Sequence, residues 1–244
     1  MKDKKHQFAF YTELLPDNLR QDTHYTISDK DLVHRLISIV RLDTGDSFVL
    51  FNRSNKYTCT IETYERRALT CLIQKSEKIV PLQPNITLLL PLLKRDALED
   101  AIYVATILGI NQVQLVTTEK STAAWAKDKE ADRLLRIAVA AAEQSKQYLL
   151  PTIAAPVDLA HALRSHKNYD VKLHADVNGA NFYTTASAVR DKKSFLISVG
   201  PEGDLTSSEQ TLLKEQGFTF CKLTPTVLKS EQALLLFAGL LRSF

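Results

Sequence analysis

Two short strings stand out in the last fifth of the chain, and the first has residue types that could hold a ligand. They are Gly200-Pro201-Glu202-Gly203-Asp204 and Leu228-Lys229-Ser230-Glu231. Gly200 and Gly203 let a backbone turn sharply or admit a ligand closely, so the N–H groups of such a turn face whatever fills its mouth. Asn178-Gly179 is a second glycine turn of this kind, and either one taken alone is also compatible with a purely structural turn. Other chemistries lack their anchors. There is no GxGxxG after a strand, no GxxxxGK[ST] and no GxSxG. His6, His24, His34, His161, His166 and His174 stand without metal-ligand spacing to carboxylates or cysteines, so no metal site is expected. Cys59, Cys71 and Cys221 lie far apart without CxxC spacing, which implies neither a zinc site nor a disulfide framework and fits a reducing compartment.

The elements that must position these strings read from the local pattern. Ser194 to Val199 is an apolar strand running into the Gly200 turn. A helix follows, with Thr206 and Glu209 at capping-box spacing, Leu212 and Leu213 facing inward and Gly217 as a left-handed stop. Strands near Tyr169 to Ala175 and Phe218 to Leu223 are expected to flank Ser194 to Val199. A last helix, Ser230 to Arg242, should bury Ala233, Leu236, Phe237 and Leu240. Upstream, Ile86 to Leu93 is a near-continuous apolar run. An amphipathic helix bearing Leu98, Ala101, Ile102, Ala105 and Leu108 follows and stops at Gly109, and then comes the run Val113 to Val116. Strand, helix, strand in this order implies a parallel sheet with right-handed crossovers. A long helix, roughly Lys127 to Tyr148 and ended by Pro151, carries the small-residue face Ala138, Ala141, Ala142 and Ser145, suited to close helix approach within the chain or across a dimer.

Residues 1 to about 75 read differently. Short alternating runs at Phe8 to Tyr11, Ser47 to Phe51, Tyr57 to Thr63 and Ala68 to Ile73 are separated by polar turns and predict a small β-barrel. One amphipathic helix interrupts them, with Ser28 as its cap and Leu32, Leu36 and Ile39 on one face. His34, Arg35 and Arg41 could form a nucleic-acid contact strip or a solvated face. Pro81 and Pro84 mark the boundary, giving a first domain over 1–78 and a second over 79–244.

Composition limits the class without choosing the function. With 244 residues, 45% hydrophobic and 24% charged, the chain can bury a sizeable core. A net charge of +3 permits a phosphate-rich partner but does not demand one. The basic start, MKDKKHQFAFYTELL, has no apolar core of a leader, and no run of about 18 apolar residues exists that could cross a membrane. A cytoplasmic protein without membrane association is expected.

The strings LISVGPEGDLTSSE and LTPTVLKSEQALL, with RIAVAAAEQSKQYLLPTI and LLPLLKRDALEDAIYVATILGI, resemble the ribosomal RNA small-subunit uridine-N3 methyltransferase family of the SPOUT superfamily. The resemblance covers most of the chain. It implies an α/β fold: a SPOUT-type parallel sheet with a C-terminal deep trefoil knot, preceded by a PUA-like β-barrel that binds RNA. It also implies S-adenosylmethionine as cofactor, small-subunit ribosomal RNA as partner and a homodimer. Gly200, Glu202 and Gly203 fall on the family's first knot loop. Leu223, Leu228, Lys229, Ser230 and Glu231 fall on its second, and Leu173 and His174 fall where it contributes a further pocket wall. Ile197, Leu223 and Leu228 are then placed to sandwich an adenine ring.

Within that resemblance Glu231 is the candidate to orient or deprotonate the base, and Lys229 to hold a carbonyl or phosphate. Glu231 in a first helical turn also simply suits the helix dipole. The chain departs from the family pattern in several places. Lys229 stands where arginine is usual, Ser230 and Gln232 where threonine is usual, and Asp204 where glycine is common. Ala97, Tyr103, Val104, Ile107, Gln147 and Leu149 replace residues that are often charged or polar, which thins the RNA-facing cations. Two alternatives therefore stand beside uridine-N3 transfer. One is a non-catalytic RNA-binding or ribosome-assembly protein on the same fold. The other is a knotted methyltransferase acting on another atom, such as a ribose hydroxyl.

Overall fold

The computed structural model describes residues 7–121, 123 and 125–243. His6 and the basic start of the chain lie outside the described residues. The chain divides into two compact units. One takes the chain up to Val80 together with Ala142–Leu149, and the other takes Pro81–Ala141 and everything from Leu150 onward.

The first unit is built on β1 (Phe8–Tyr11), β2 (His24–Ile27), β3 (Ser47–Phe51), β4 (Asn55–Glu65) and β5 (Ala68–Lys78). They form one five-stranded sheet in the order β1-β3-β4-β5-β2, with β1 parallel to β3 and the other ladders antiparallel. Alternation along β4 sends Tyr57, Cys59 and Ile61 into the core, where they meet Phe10, Phe48, Leu50, Leu69 and Ile73. The strand β2 was not anticipated, because HYTI is too short and too polar to show an apolar run.

Helix α1 (Lys30–His34) is capped by Asp29, whose carboxylate accepts from the N–H groups of Asp31 and Leu32; the expected cap, Ser28, lies one residue too early. From Arg35 to Ile39 the helix widens to π geometry, with Val40 N donating to Arg35 O at 2.9 Å. The extra residue in that turn rotates the following side chains. Leu32, Val33 and Leu36 are buried, but Ile39, expected on the inner face, is 63% exposed. Arg35 is also not a free cation: it bonds the Glu143 carboxylate at 2.5 Å and lies over the Phe10 ring. Glu143 accepts from Tyr11 N as well, and Tyr148 packs edge-on against Phe51, so residues 142–149 belong with the first unit rather than with the domain expected to begin at 79.

The second unit is a six-stranded, wholly parallel sheet. Its strands are β6 (Asn85–Pro91), β7 (Gln112–Thr117), β8 (Thr152–Asp158), β9 (Val171–Asn181), β10 (Ser194–Ser198) and β11 (Thr219–Lys222), in the order β11-β9-β10-β6-β7-β8. Its helices are α2 (Arg95–Ile107), α3 (Lys127–Ser145) up to Ala141, α4 (Leu159–Ser165), α5 (Phe182–Val189), α6 (Ser207–Glu215) and α7 (Ser230–Arg242). The expectation that β9 and β11 flank β10 is corrected: β10 lies between β9 and β6, and β11 lies at the edge beyond β9. The reason is burial on both sides, since Phe195, Leu196 and Ile197 are all within 1% of complete burial and require neighbours all round, whereas Thr219 is exposed.

Several helix expectations shift in detail. The buried stripe of α7 is Ser230, Leu234, Phe237, Ala238 and Leu241, one position later than the expected Ala233, Leu236 and Leu240. Helix α3 ends at Ser145 rather than near Tyr148, because Lys146 adopts φ +59 well before Pro151. Its small residues Ala138, Ala141 and Ala142 are fully buried within the chain, so that face is not available to a second copy. Gly109 and Gly217 end α2 and α6 with φ of +64 and +83.

Candidate functional site

The carboxyl ends of β6, β9 and β10 open into a cleft of about 1160 Å³ in the second unit. Four segments wall it: the start of α2, a loop within β9, the glycine turn after β10, and the segment from Leu223 into α7. Open α/β sheets bind ligands at this edge because strand-end backbone groups and helix N-termini converge there.

The glycine turn is tightly held. Asp204 N donates to Pro201 O at 3.0 Å, closing a four-residue turn, and Asp204 itself takes φ +59. Its carboxylate accepts from Leu205 N, after which Thr206 and Glu209 form a reciprocal capping box at the start of α6. Three outside contacts then fix the turn. Glu202 accepts from Lys94 N at 3.1 Å, Lys120 Nζ donates to Gly203 O at 2.9 Å, and Ser230 Oγ donates to Gly200 O at 2.5 Å. Glu202 thus ties the turn to the first residue of α2's entry.

The second string forms the opposite wall. Thr224 Oγ1 donates to Thr226 O, Lys229 N donates to the Gln232 side chain, and Lys229 O receives Ala233 N as α7 begins. Lys229 is therefore the cap residue and Glu231 lies in the first turn, both on the cleft wall. Val227 is 82% exposed at the rim.

The third wall comes from a register jump. Strand β11 advances one residue, from Phe220 to Cys221, while its partner on β9 passes from His174 to Ala180. Residues Ala175 to Gly179 are consequently looped out, and Ala175, Asp176, Val177 and Asn178 line the cleft. Asn178-Gly179 is therefore not a turn beyond a strand end. A Cβ on Gly179 would meet Phe220 C and O and Cys221 N at 2.6 Å, so glycine is required where the loop rejoins β11.

Of the residues singled out from sequence, Gly200, Glu202, Leu223, Leu228, Lys229, Ser230 and Glu231 meet at the cleft. Leu173, His174, Ile197 and Gly203 do not wall it. Leu173 and Ile197 are fully buried among the strands, since a parallel sheet covered on both faces hides its mid-strand side chains. His174 is 2% exposed behind the cleft, with Nδ1 2.7 Å from Ser198 Oγ and its ring edge-on to Phe220. Burial pushes its pKa down to about 4, with the carboxylates of Asp176 and Asp204 opposing the shift. Gly203 faces Lys120, whose Cβ a side chain there would touch at 3.4 Å.

Sequence reasoning missed Asp96, Ala97, Asp100 and Asp176 as wall residues. Asp96 and Asp100 lie on the face of α2 opposite its buried Leu98-Ala101-Ile102 stripe, a signal present in the helical spacing, and Ala97 lies on the flank between them. Asp176 depends on the loop-out, which no periodicity announces. The ionisable lining comprises Asp96, Asp100, Asp176, Glu202, Asp204 and Glu231 against Lys94, Arg95 and Lys229, six acids to three bases, which favours a ligand carrying positive charge. Among the described residues no group of three or more His, Cys, Asp or Glu is arranged to hold a metal, and all three cysteines are free and buried. No helix among them is long and apolar enough to cross a membrane.

Residues 81–242 match the family model of an RNA methyltransferase domain. The chain is 25% identical over 238 residues to the ribosomal RNA small subunit methyltransferase E of Bacillus subtilis strain 168, covering 92% of this chain and 91% of the relative. It is 24% identical to the protein of the same name from Rickettsia conorii, with 88% of each chain covered. The fold matches that of a Neisseria gonorrhoeae ribosomal RNA small subunit methyltransferase E, solved bound to S-adenosyl methionine. The TM-score is 0.83, over 98% of both chains, at 22% identity.

Proposed function

The chain belongs to the RNA methyltransferase family, and on that premise we propose that it transfers a methyl group from S-adenosylmethionine to N3 of a uridine in small-subunit ribosomal RNA. The observation that carries this reading is the meeting of the Gly200 turn and the Leu223 to Glu231 segment on one cleft, joined by the Ser230 to Gly200 bond. The names of the relatives support the RNA, and the ligand of the Neisseria structure supports the cofactor.

The residues present fit the cofactor. Leu223 and Leu228 offer apolar walls for a flat ring, and Gly200 leaves backbone groups open, since a Cβ there would find only Asp204 Oδ1, at 3.7 Å. The acidic excess suits a sulfonium. Leu173, His174 and Ile197 belong to the floor behind these walls, and Gly203 to the support of the turn. When bound, S-adenosylmethionine supplies an electrophilic methyl group for in-line displacement.

The chain's own residues then align and activate the acceptor. Uracil N3 carries a proton at neutral pH, and to Glu231, one of the carboxylates on the wall, we assign the orienting of the base and the taking of that proton. Lys229 beside it can hold a carbonyl oxygen or phosphate as a point charge, without the bidentate fork of an arginine. The reading further includes a trefoil knot around the two strings, a PUA-like RNA-binding role for the first unit, a homodimer and a cytoplasmic site of action.

Titration calorimetry with S-adenosylmethionine tests the cofactor, with binding expected in the micromolar range, near about −8 kcal/mol. Methyl incorporation into unmodified small ribosomal subunits, mapped by mass spectrometry of nucleosides, tests the rest. RNA binding without incorporation would assign the chain to a non-catalytic assembly role, and a methyl group on ribose would replace N3 as the acceptor.

A further inference from the structure

Among the described residues other than glycine, Asp22, Arg41, Lys146 and Asp204 hold a positive φ, and of these only Asp204 lines the cleft. A residue with a Cβ gives up stability in this region of backbone space, and glycine does not. The chain therefore carries a strained carboxylate at its ligand cleft, in a turn where glycine would sit without strain. Strain kept at such a place points to a use for the side chain.

The side chain is also specifically placed. Its Oδ1 accepts from Leu205 N at 2.8 Å and lies 3.7 Å from where a Cβ on Gly200 would stand. Its Oδ2 makes no hydrogen bond among the described residues. The carboxylate thus borders the space that Gly200 leaves open. Gly200 O in turn receives the hydroxyl of Ser230, the residue before Glu231. Other acids of the cleft are engaged or stand elsewhere: Glu202 accepts from Lys94 N, Asp176 accepts from Asn178 N, and Asp96 and Asp100 stand on α2.

We infer that Asp204 reads the charge of the cofactor, its carboxylate favouring the sulfonium of S-adenosylmethionine over the neutral thioether that remains after transfer. The inference rests on the methyl-transfer reading of this cleft. The methyl group has to be presented to the acceptor that Glu231 orients, so the charged sulfur belongs where Gly200, Ser230 and Glu231 meet, beside this carboxylate. A fixed negative charge there attracts the sulfonium and has nothing to attract once the methyl group has left, so the demethylated product is held less tightly. Asp204 is exposed, and solvent screening limits the preference to a few-fold.

Calorimetric titration of the full chain with S-adenosylmethionine and with S-adenosylhomocysteine measures this preference without any turnover. Asp204→Asn keeps an acceptor for Leu205 N and tolerates the positive φ, so it removes the charge alone. It should weaken S-adenosylmethionine binding about fivefold and leave the product within about twofold. In the unaltered protein the preference should shrink with added salt, and in Asp204→Asn it should not depend on salt. Asp204→Gly should lose the same preference while unfolding at an equal or higher urea concentration, because the strain is relieved. Equal weakening of both compounds in Asp204→Asn, or no weakening of either, overturns the inference. A preference that Asp204→Asn keeps and Asp204→Gly loses together with stability assigns Asp204 to the turn and overturns it as well. Binding of neither compound to the unaltered protein overturns the methyl-transfer reading, and the inference with it.

Discussion

The hydroxyl of Ser230 donates to the carbonyl oxygen of Gly200 at 2.5 Å, joining two loops thirty residues apart in the chain at the floor of one cleft. Ser230 is 7% exposed and is the first residue of α7, so this single bond couples the seating of that helix to the shape of the glycine turn. Ser230→Ala should weaken S-adenosylmethionine binding about tenfold, the equivalent of about 1.4 kcal/mol. Ser230→Thr keeps the hydroxyl and should stay within about threefold. Calorimetry separates the two.

Glu231 lies one residue further along, on the cleft wall. If it takes the N3 proton, Glu231→Gln should lower kcat by roughly 100-fold or more while the cofactor Kd moves less than twofold. Parallel loss of cofactor affinity and thermal stability would make it a helix-start residue only.

Two glycines should respond to the same substitution with opposite signs. Gly179→Ala forces a Cβ to 2.6 Å from the backbone of Phe220 and Cys221, and should destabilise the protein by about 2 kcal/mol and loosen the β9 loop-out. Gly239 lies within α7 with nothing inside 4 Å of an added Cβ, so Gly239→Ala should stabilise by about 0.5–1 kcal/mol. Urea unfolding measures both.

Burial lowers the pKa of His174 to about 4, against 6.5 for the free side chain. Between those values the unfolded chain binds a proton that the folded chain refuses, so stability falls as the pH drops from 6.5 towards 4 and this group contributes no slope above that window. The loss at pH 4 should be about 3 kcal/mol. His174→Gln should flatten the slope in unfolding experiments across this range, and an unchanged slope would place the titration elsewhere.

Arg242 closes the second unit at the other end of α7. Its guanidinium donates to Leu108 O at 2.8 Å and to Pro84 O and Gly109 O at 2.6 Å, capping the carboxyl end of α2. Arg242→Ala should cost about 2–4 kcal/mol by stranding these carbonyls, and Arg242→Lys should restore under half, because an ammonium lacks the planar fork. Chemical denaturation checks both, with cofactor affinity expected to hold for the lysine variant.

Local rules made much of this chain legible. The Thr206 to Glu209 capping box, the Gly109 and Gly217 stops and the Leu98-Ala101-Ile102-Ala105 stripe each depend on residues within one or two turns, and each is found where the pattern puts it. The glycine turn at Gly200 was visible as a ligand-binding candidate for the same reason, whereas the role of the string bearing Glu231 came from the family resemblance. The misplacements at Ile39 and along α7 came from local geometry that periodicity does not carry. An inserted π turn at Arg35 to Ile39 rotates one face, and a cap at Lys229 sets the phase of the other.

By itself the sequence determined which segments become strands, helices and glycine turns, because propensity, capping and hydrophobic period act over a few residues. Tertiary structure alone decided that β11 lies beyond β9 and that residues 175–179 loop out to wall the cleft. It also decided that His174 and Ile197 fall behind the walls. Those outcomes depend on which strands find burial on both faces and which polar atoms find partners across the sheet, and such pairings join residues whose separation along the chain leaves no mark in local composition.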